Sequence, residues 1–142
     1  MKRILCVLLS LLMVLALAGC NSEPVPSVKF TNNLDQTWDN MYITLSTDEE
    51  WGESVLLAKT EPGHTVTISM SKFSEESAPG VFDIGVICHN NMNYDVYEVY
   101  LADGYEVEIS SSGNADGDTV YMKVKDTEGK IKSYEGYVYP NE

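Results

Sequence analysis

From residue 28 onward this chain keeps a period of two. Thr65-Val66-Thr67-Ile68-Ser69-Met70 carries an apolar side chain at every second position, and similar runs recur as far as the C-terminus. Successive side chains of an extended strand point to opposite faces, so the spacing puts Val66, Ile68 and Met70 on one face. A helix needs apolar residues three and four apart, and no run in this part of the chain keeps that spacing beyond a few residues. Such a chain buries its apolar faces by packing strands.

Turn-forming clusters cut this pattern into short pieces. Residues 28–31 open it, and Asn32-Asn33-Leu34-Asp35 leads into 38–45, where alternation predicts Met41, Ile43 and Leu45 on the core side. Glu61-Pro62-Gly63-His64 precedes 65–70, and a polar connection over 72–80 leads to 81–88. That run is expected to pair with 95–101 across Asn90-Asn91-Met92-Asn93, asparagines being tolerant of positive φ. Asp103-Gly104 reads as a hairpin turn into 105–109. Residues 119–125 and 131–139 form a last hairpin around Thr127-Glu128-Gly129-Lys130. The prediction is an all-β fold of about seven to nine short strands, an antiparallel β-sandwich of immunoglobulin-like type, with a small barrel as the alternative. Gly63 to Ile68 and Gly104 to Ile109 share the pattern Gly-x-x-Val-x-Ile, which internal duplication and simple alternation after a glycine turn explain equally well.

The N-terminus obeys other rules. Met1-Lys2-Arg3 is a short basic head, and residues 4–17 are almost wholly apolar, the layout of a secretory signal. The stretch falls short of the roughly 20 residues that a membrane-spanning helix requires. Leu17-Ala18-Gly19-Cys20 resembles the lipobox of bacterial lipoproteins. That resemblance implies cleavage before Cys20 and lipidation of its thiol, and several acyl chains on one residue give stable anchoring. The expected organisation is a signal peptide over 1–19, a lipidated Cys20 with a proline-containing stalk over 20–27, and one β-domain over 28–142. The expected location is the cell membrane or outer surface, lipid-anchored and extracytoplasmic, with the membrane as a partner through the lipid.

Loss of Lys2 and Arg3 with the signal leaves 7 of the 9 basic residues against 22 acids, a formal charge of −15. The seven are all lysines. Such a surface excludes the arginine-rich contacts of a nucleic-acid binder and disfavours anionic lipid. Of the three cysteines, Cys6 lies in the signal and Cys20 under lipid, so Cys88 has no partner for an internal disulfide. Val86-Ile87-Cys88-His89 is an apolar run in which a free cysteine acts as a small buried hydrophobe. Its neighbour His89 points to the opposite face and makes a poor base for it.

Phe30-Thr31-Asn32-Asn33, Met41-Tyr42-Ile43, Trp51-Gly52-Glu53 with Leu56-Leu57, Pro62-Gly63 and Phe82-Asp83-Ile84 together resemble a small domain that recurs in exported proteins and lipoproteins of gut Firmicutes. The likeness runs from Phe30 to Ile109, implies a β-sandwich and carries no activity. Thr44-Leu45-Ser46 departs from the Ser-Pro-Ser element usual at that point, and the final hairpin is additional.

Three groups are candidate sites. Asp48, Glu49 and Glu53 lie within seven residues of one another around Trp51, an acidic loop that could supply oxygens to Ca²⁺. The plainer account has Asp48 capping a helical turn, Trp51 sealing the core edge and the acids solvated. Asn114-Ala115-Asp116-Gly117-Asp118 has the look of an EF-hand middle, but the frame puts Ser112 and Lys123 where acids are required. Among the tyrosines, alternation groups Tyr97, Val99 and Leu101 on one face and Val96, Glu98 and Tyr100 on the other, with Tyr137 and Tyr139 opposite Tyr134 and Val138. Tyr100, Tyr137 and Tyr139 would then face outward as ligand or interface aromatics. Two histidines are too few for a zinc site, and no nucleophile or phosphate loop has motif context.

The sequence therefore predicts a non-enzymatic envelope lipoprotein without a cofactor, its β-domain serving as a protein-interaction or adhesion module toward an envelope protein. The alternative is a small-ligand binding domain for glycan or calcium. A ligand site predicts convergent aromatics or acids in a concavity; an interaction module predicts an exposed flat sheet or edge.

Overall fold

The structure, a computed structural model, describes residues 24–73, 79–113 and 118–141. Cys20, the signal and most of the EF-hand-like loop lie outside the described residues. Among those described, no helix is long and apolar enough to cross a membrane.

Eight strands form the fold: β1 (Ser27–Asn32), β2 (Trp38–Leu45), β3 (Thr65–Ser69), β4 (Gly80–Cys88), β5 (Met92–Leu101), β6 (Glu106–Ser112), β7 (Thr119–Lys125) and β8 (Ile131–Pro140). They hydrogen-bond in the order β2-β4-β5-β8-β7-β6-β1-β3, as one curled sheet. The all-β expectation is met, and the sheet is mixed rather than purely antiparallel, because β1 runs parallel to β6 while antiparallel to β3. Alternation assigns a side chain to a face and says nothing of strand direction. The β1–β6 contact joins segments about 75 residues apart, since Lys29 pairs with Glu106, and no local turn specifies it.

The expected hairpins β4–β5 and β7–β8 form, with Asn91 at φ 62° in the first turn. Asp103-Gly104 does turn, with Gly104 at φ 76°, but β5 and β6 do not pair. The turn instead carries the chain from a three-strand wing, β2-β4-β5, to a five-strand wing, β8-β7-β6-β1-β3. Among the described residues the strand ladder between the wings is short: Met92 to Asp95 of β5 against 137–140 of β8.

One core holds the wings together. Phe30, Trp38, Met41, Phe82, Ile84, Val96, Leu101, Ile109 and Met122 are all buried, with Phe73 edge-on to Phe82 at 5.0 Å between ring centres. Full burial of each such side chain is favourable by roughly 1.5–3 kcal/mol.

Two bulges correct the alternation. Trp38 pairs with Cys88 but Asn40 with Ile87, so Asp39 is an extra residue and Trp38 joins Met41 in the core. On β5, Val96 opposes Ile84 and Val99 opposes Phe82, leaving Tyr97 and Glu98 against Asp83 alone. Glu98 takes φ 56°, and Asp83 Oδ1 accepts both its N–H at 2.9 Å and the Ser46 hydroxyl at 2.6 Å. The extra residue resets the phase, so Val96, Val99 and Leu101 all point inward while Tyr97 and Tyr100 both point out.

The segment 54–64 covers the edge of β2 and reaches toward β3. Val55 N–H donates to Met41 O at 2.8 Å, and Trp38 and Thr60 exchange backbone bonds of 2.9 and 3.0 Å. Asn32, fully buried, ties this segment to the turn after β1: its amide donates to Gln36 O and Thr60 O, each at 2.9 Å, and its Oδ1 accepts from Leu34 N–H at 3.0 Å. A buried amide so fully partnered carries no penalty for leaving water.

Candidate functional site

The outer face of the three-strand wing is built from the residues that alternate with the core. Tyr42 stands opposite Gly85, Gly85 opposite Asp95, and Asp95 opposite Tyr137, which makes one row across β2, β4, β5 and β8. The next row runs Asn40, Ile87, Asn93, Tyr139. Their chain neighbours Met41, Ile43, Ile84, Val86, Tyr94 and Val96 are core residues, so both rows face away from it.

Gly85 makes the middle of this surface a hollow. A side chain there would place its Cβ 2.8 Å from Asp95 Oδ1 and 3.4 Å from the Trp51 ring, so only glycine allows the carboxylate and the indole to approach. Trp51 reaches over from the acidic loop and meets Tyr97 at 6.1 Å between ring centres, and Tyr97 meets Tyr137 at 6.3 Å. The resulting cleft, about 230 Å³, is lined by Tyr42, Trp51, Ile87, Asn93, Asp95 and Tyr139, with Gly85 and Asn141 completing it.

Asp95 is the chemical centre. Its side chain is almost wholly removed from solvent, at 4% exposure. Oδ2 accepts from the hydroxyls of Tyr139 and, at 3.3 Å, Tyr97. Among the described residues Oδ1 has no hydrogen-bond partner and lies against Gly85. Burial pushes the Asp95 carboxyl above its ordinary range, an effect the two tyrosine hydroxyls oppose and the charge of Asp83 reinforces. Burial and the nearby carboxylate together raise the Tyr139 phenol, which therefore stays protonated as a donor.

The expected site residues separate. Tyr137 and Tyr139 belong to this cleft and its rim, 68% and 41% exposed. Tyr100 is also exposed but lies in another hollow, where its ring meets Tyr105 at 6.1 Å and its N–H donates to the Tyr134 hydroxyl at 3.1 Å. Asp48, Glu49 and Glu53 are solvent-facing, with Asp48 accepting from the Thr44 hydroxyl at 3.4 Å. Among the described residues no group of three or more His, Cys, Asp or Glu is placed to hold a metal ion. Trp51, expected at the core edge, lies across the outer face instead, because its loop folds back over Gly85. No helical turn forms at Asp48.

Cys88 is buried, and burial pushes its thiol up to about 12. Its neighbour His89 faces outward and pairs with Asp39 Oδ2 at 3.2 Å, so the two share no face. A larger groove of about 480 Å³ follows β3 beside the 54–60 segment, with Leu57, Lys59 and His64 in its lining and no Asp, Glu, Phe, Tyr or Trp. Volume and chemistry disagree here, and the chemistry lies in the smaller cleft.

Tyr42, Trp51, Gly85, Asp95 and Tyr97 were not recognisable as one site from sequence spacing. One signal was available: glycine in the middle of the apolar run Val81-Phe82-Asp83-Ile84-Gly85-Val86-Ile87 marks a close approach of another group. No family model, curated protein or solved structure matches the chain.

Proposed function

We propose that this chain is a lipid-anchored envelope protein that binds a small organic ligand, without catalysis, in the outer-face cleft. Cys20 carries the anchor, and residues 28–142 hold the site away from the membrane on a sandwich-like domain of immunoglobulin type. The two wings facing each other across one core support that last reading. The lipobox resemblance and the basic-then-apolar N-terminus support the first.

One observation carries the ligand reading: aromatic rings converge with a buried acid over a glycine floor, in a concavity. Clefts of this composition hold small molecules, whereas a protein-docking face is flatter. The volume is below the roughly 300–1,000 Å³ of sites for drug-sized ligands, so the ligand is small or inserts only a head group. The adhesion reading keeps one supporting feature, the outer edge of β3, which pairs with no strand among the described residues and which an extended strand of an envelope protein could extend.

The test is thermal unfolding of the purified chain with chelator, with millimolar Ca²⁺, and with panels of glycans and small organic ions. A ligand at about 100 times its dissociation constant adds roughly 2.7 kcal/mol to stability. A melting-temperature rise that Gly85→Ala abolishes is the expected result. A ligand whose effect survives Gly85→Ala would move the site elsewhere. Capture of an envelope protein, lost on substitution within β3, would favour the adhesion reading. Cys20→Ser is expected to abolish palmitate incorporation and release the protein from membranes.

A further inference from the structure

Part of the cleft's hydrogen-bonding capacity is committed internally. The hydroxyls of Tyr97 and Tyr139 donate to Asp95 Oδ2, and Asn93 donates to Asn141 Oδ1 at 3.4 Å. A neutral polyol would need these same groups as partners for its hydroxyls. What is left over among the described residues is one carboxylate oxygen, Asp95 Oδ1, with the Tyr42 hydroxyl, the Asn93 side-chain carbonyl oxygen and the faces of the Trp51, Tyr42 and Tyr139 rings.

Charge points the same way. Among the described residues no lysine, arginine or histidine lines the cleft, and the whole chain carries a net charge of −13. An anion would meet only repulsion. An ammonium group with free N–H bonds would need several acceptors close around it, and most of this lining is ring and apolar wall: Tyr42, Trp51, Tyr139, Ile87 and Gly85. A cation without N–H groups needs none: its methyls pack on apolar wall, while its charge is met by ring faces and the carboxylate. Cations are attracted to Trp and Tyr faces within about 6 Å of the ring centre, most strongly where water is excluded.

We propose that the outer-face cleft binds a quaternary-ammonium cation of the choline class, with Trp51, Tyr42 and Tyr139 around the methyl groups and Asp95 Oδ1 as counter-charge. This rests on the reading of the cleft as a ligand site and names its ligand. The same head group occurs free or esterified on a carrier, and the cleft recognises the part common to both.

The experiment is calorimetric titration of the full wild-type chain, in a non-ionic polyoxyethylene detergent, with choline, phosphocholine and 3,3-dimethylbutan-1-ol, the uncharged carbon isostere of choline. Choline is expected to bind at least tenfold more tightly than the isostere. Asp95→Asn, shown by its melting curve to be folded, is expected to lose at least tenfold in choline affinity and nothing in isostere affinity. Should that variant not fold, Trp51→Phe takes its place, with a smaller loss expected for choline than Trp51→Ala gives. Tighter binding of choline than of phosphocholine assigns the free cation, and the reverse assigns a carried head group; both support the proposal. Equal affinity for choline and its isostere overturns the cation and leaves the cleft as a ligand site, as does a glycan that binds only while Gly85 is intact. Failure of every probe, charged and neutral, overturns both readings together.

Discussion

The two faces of the three-strand wing share a backbone and differ in almost everything else. On the inner face Met41, Ile43, Ile84, Val86, Val96 and Val99 belong to one buried cluster with residues of the opposite wing. On the outer face, residues one step along the same strands build a hollow: Tyr42, Gly85, Asp95 and Asn93, roofed by Trp51. Interiors are filled to near crystal density because every missing atom forfeits contact energy. The outer face forgoes that density, and a glycine and a buried acid stand where branched apolar side chains would be the more stable choice. The outer face thus trades packing density for a hollow.

The largest effect should come from breaking the inner face. Phe82→Ala opens a cavity beneath Phe73 and is expected to cost about 3–5 kcal/mol, read as a lower midpoint in urea unfolding. Next comes the seam on which both faces depend. A Cβ at position 136 would run into the backbone oxygen of Asp95, so Gly136→Ala should push β8 off β5 and cost about 3 kcal/mol by the same measurement.

The third prediction reverses the sign. Asp95→Asn keeps an acceptor for Tyr97 and Tyr139 but removes a charge held out of water, and is expected to stabilise the fold at neutral pH by about 1 kcal/mol, the usual size of a single stabilising change. The folded-state pKa of Asp95 is raised above its ordinary 3.8, so the ionised carboxylate costs stability in full above the raised value. That cost shrinks as pH falls through it and is gone below 3.8. The advantage of Asp95→Asn should therefore be largest near pH 7 and vanish toward pH 3.8, a trend that melting curves across that range will show. A flat difference would mean that Asp95 is not ionised in the fold. The smallest effect is expected at Tyr137→Ala, which trims an exposed ring at the rim and should change stability by no more than about 0.5 kcal/mol.

Much of the inner face was legible in the sequence and little of the outer one, for physical reasons. A core is written as periodicity, and Val66, Ile68 and Met70, or Met41 and Ile43, announce their side by spacing alone. Bulges break that rule: Asp39 and Glu98 each shift the phase by one residue, and neither carries a local mark, since the shift is fixed by partners such as Asp83 from another strand. The cleft was harder still. Its residues come from β2, β4, β5, β8 and one loop, and they meet only because register pairs Tyr42 with Gly85 and Gly85 with Asp95. Direction was equally hidden, and so the parallel β1–β6 pair replaced the antiparallel arrangement that short turns suggest.

That parallel pair has a mechanical side. β1 lies inside the sheet, with β3 along one flank and β6 along the other, and its first residues are fixed further by Met70 N–H to Pro26 O at 2.8 Å and Gly104 N–H to Ser27 O at 2.8 Å. A tether pulling on the chain ahead of Ser27, along the strand axis, would load both ladders in shear, so that their bonds must fail together rather than unzip one by one. A domain entered through an edge strand would peel. This one meets tension with a strand held along both flanks, by β3 and by β6.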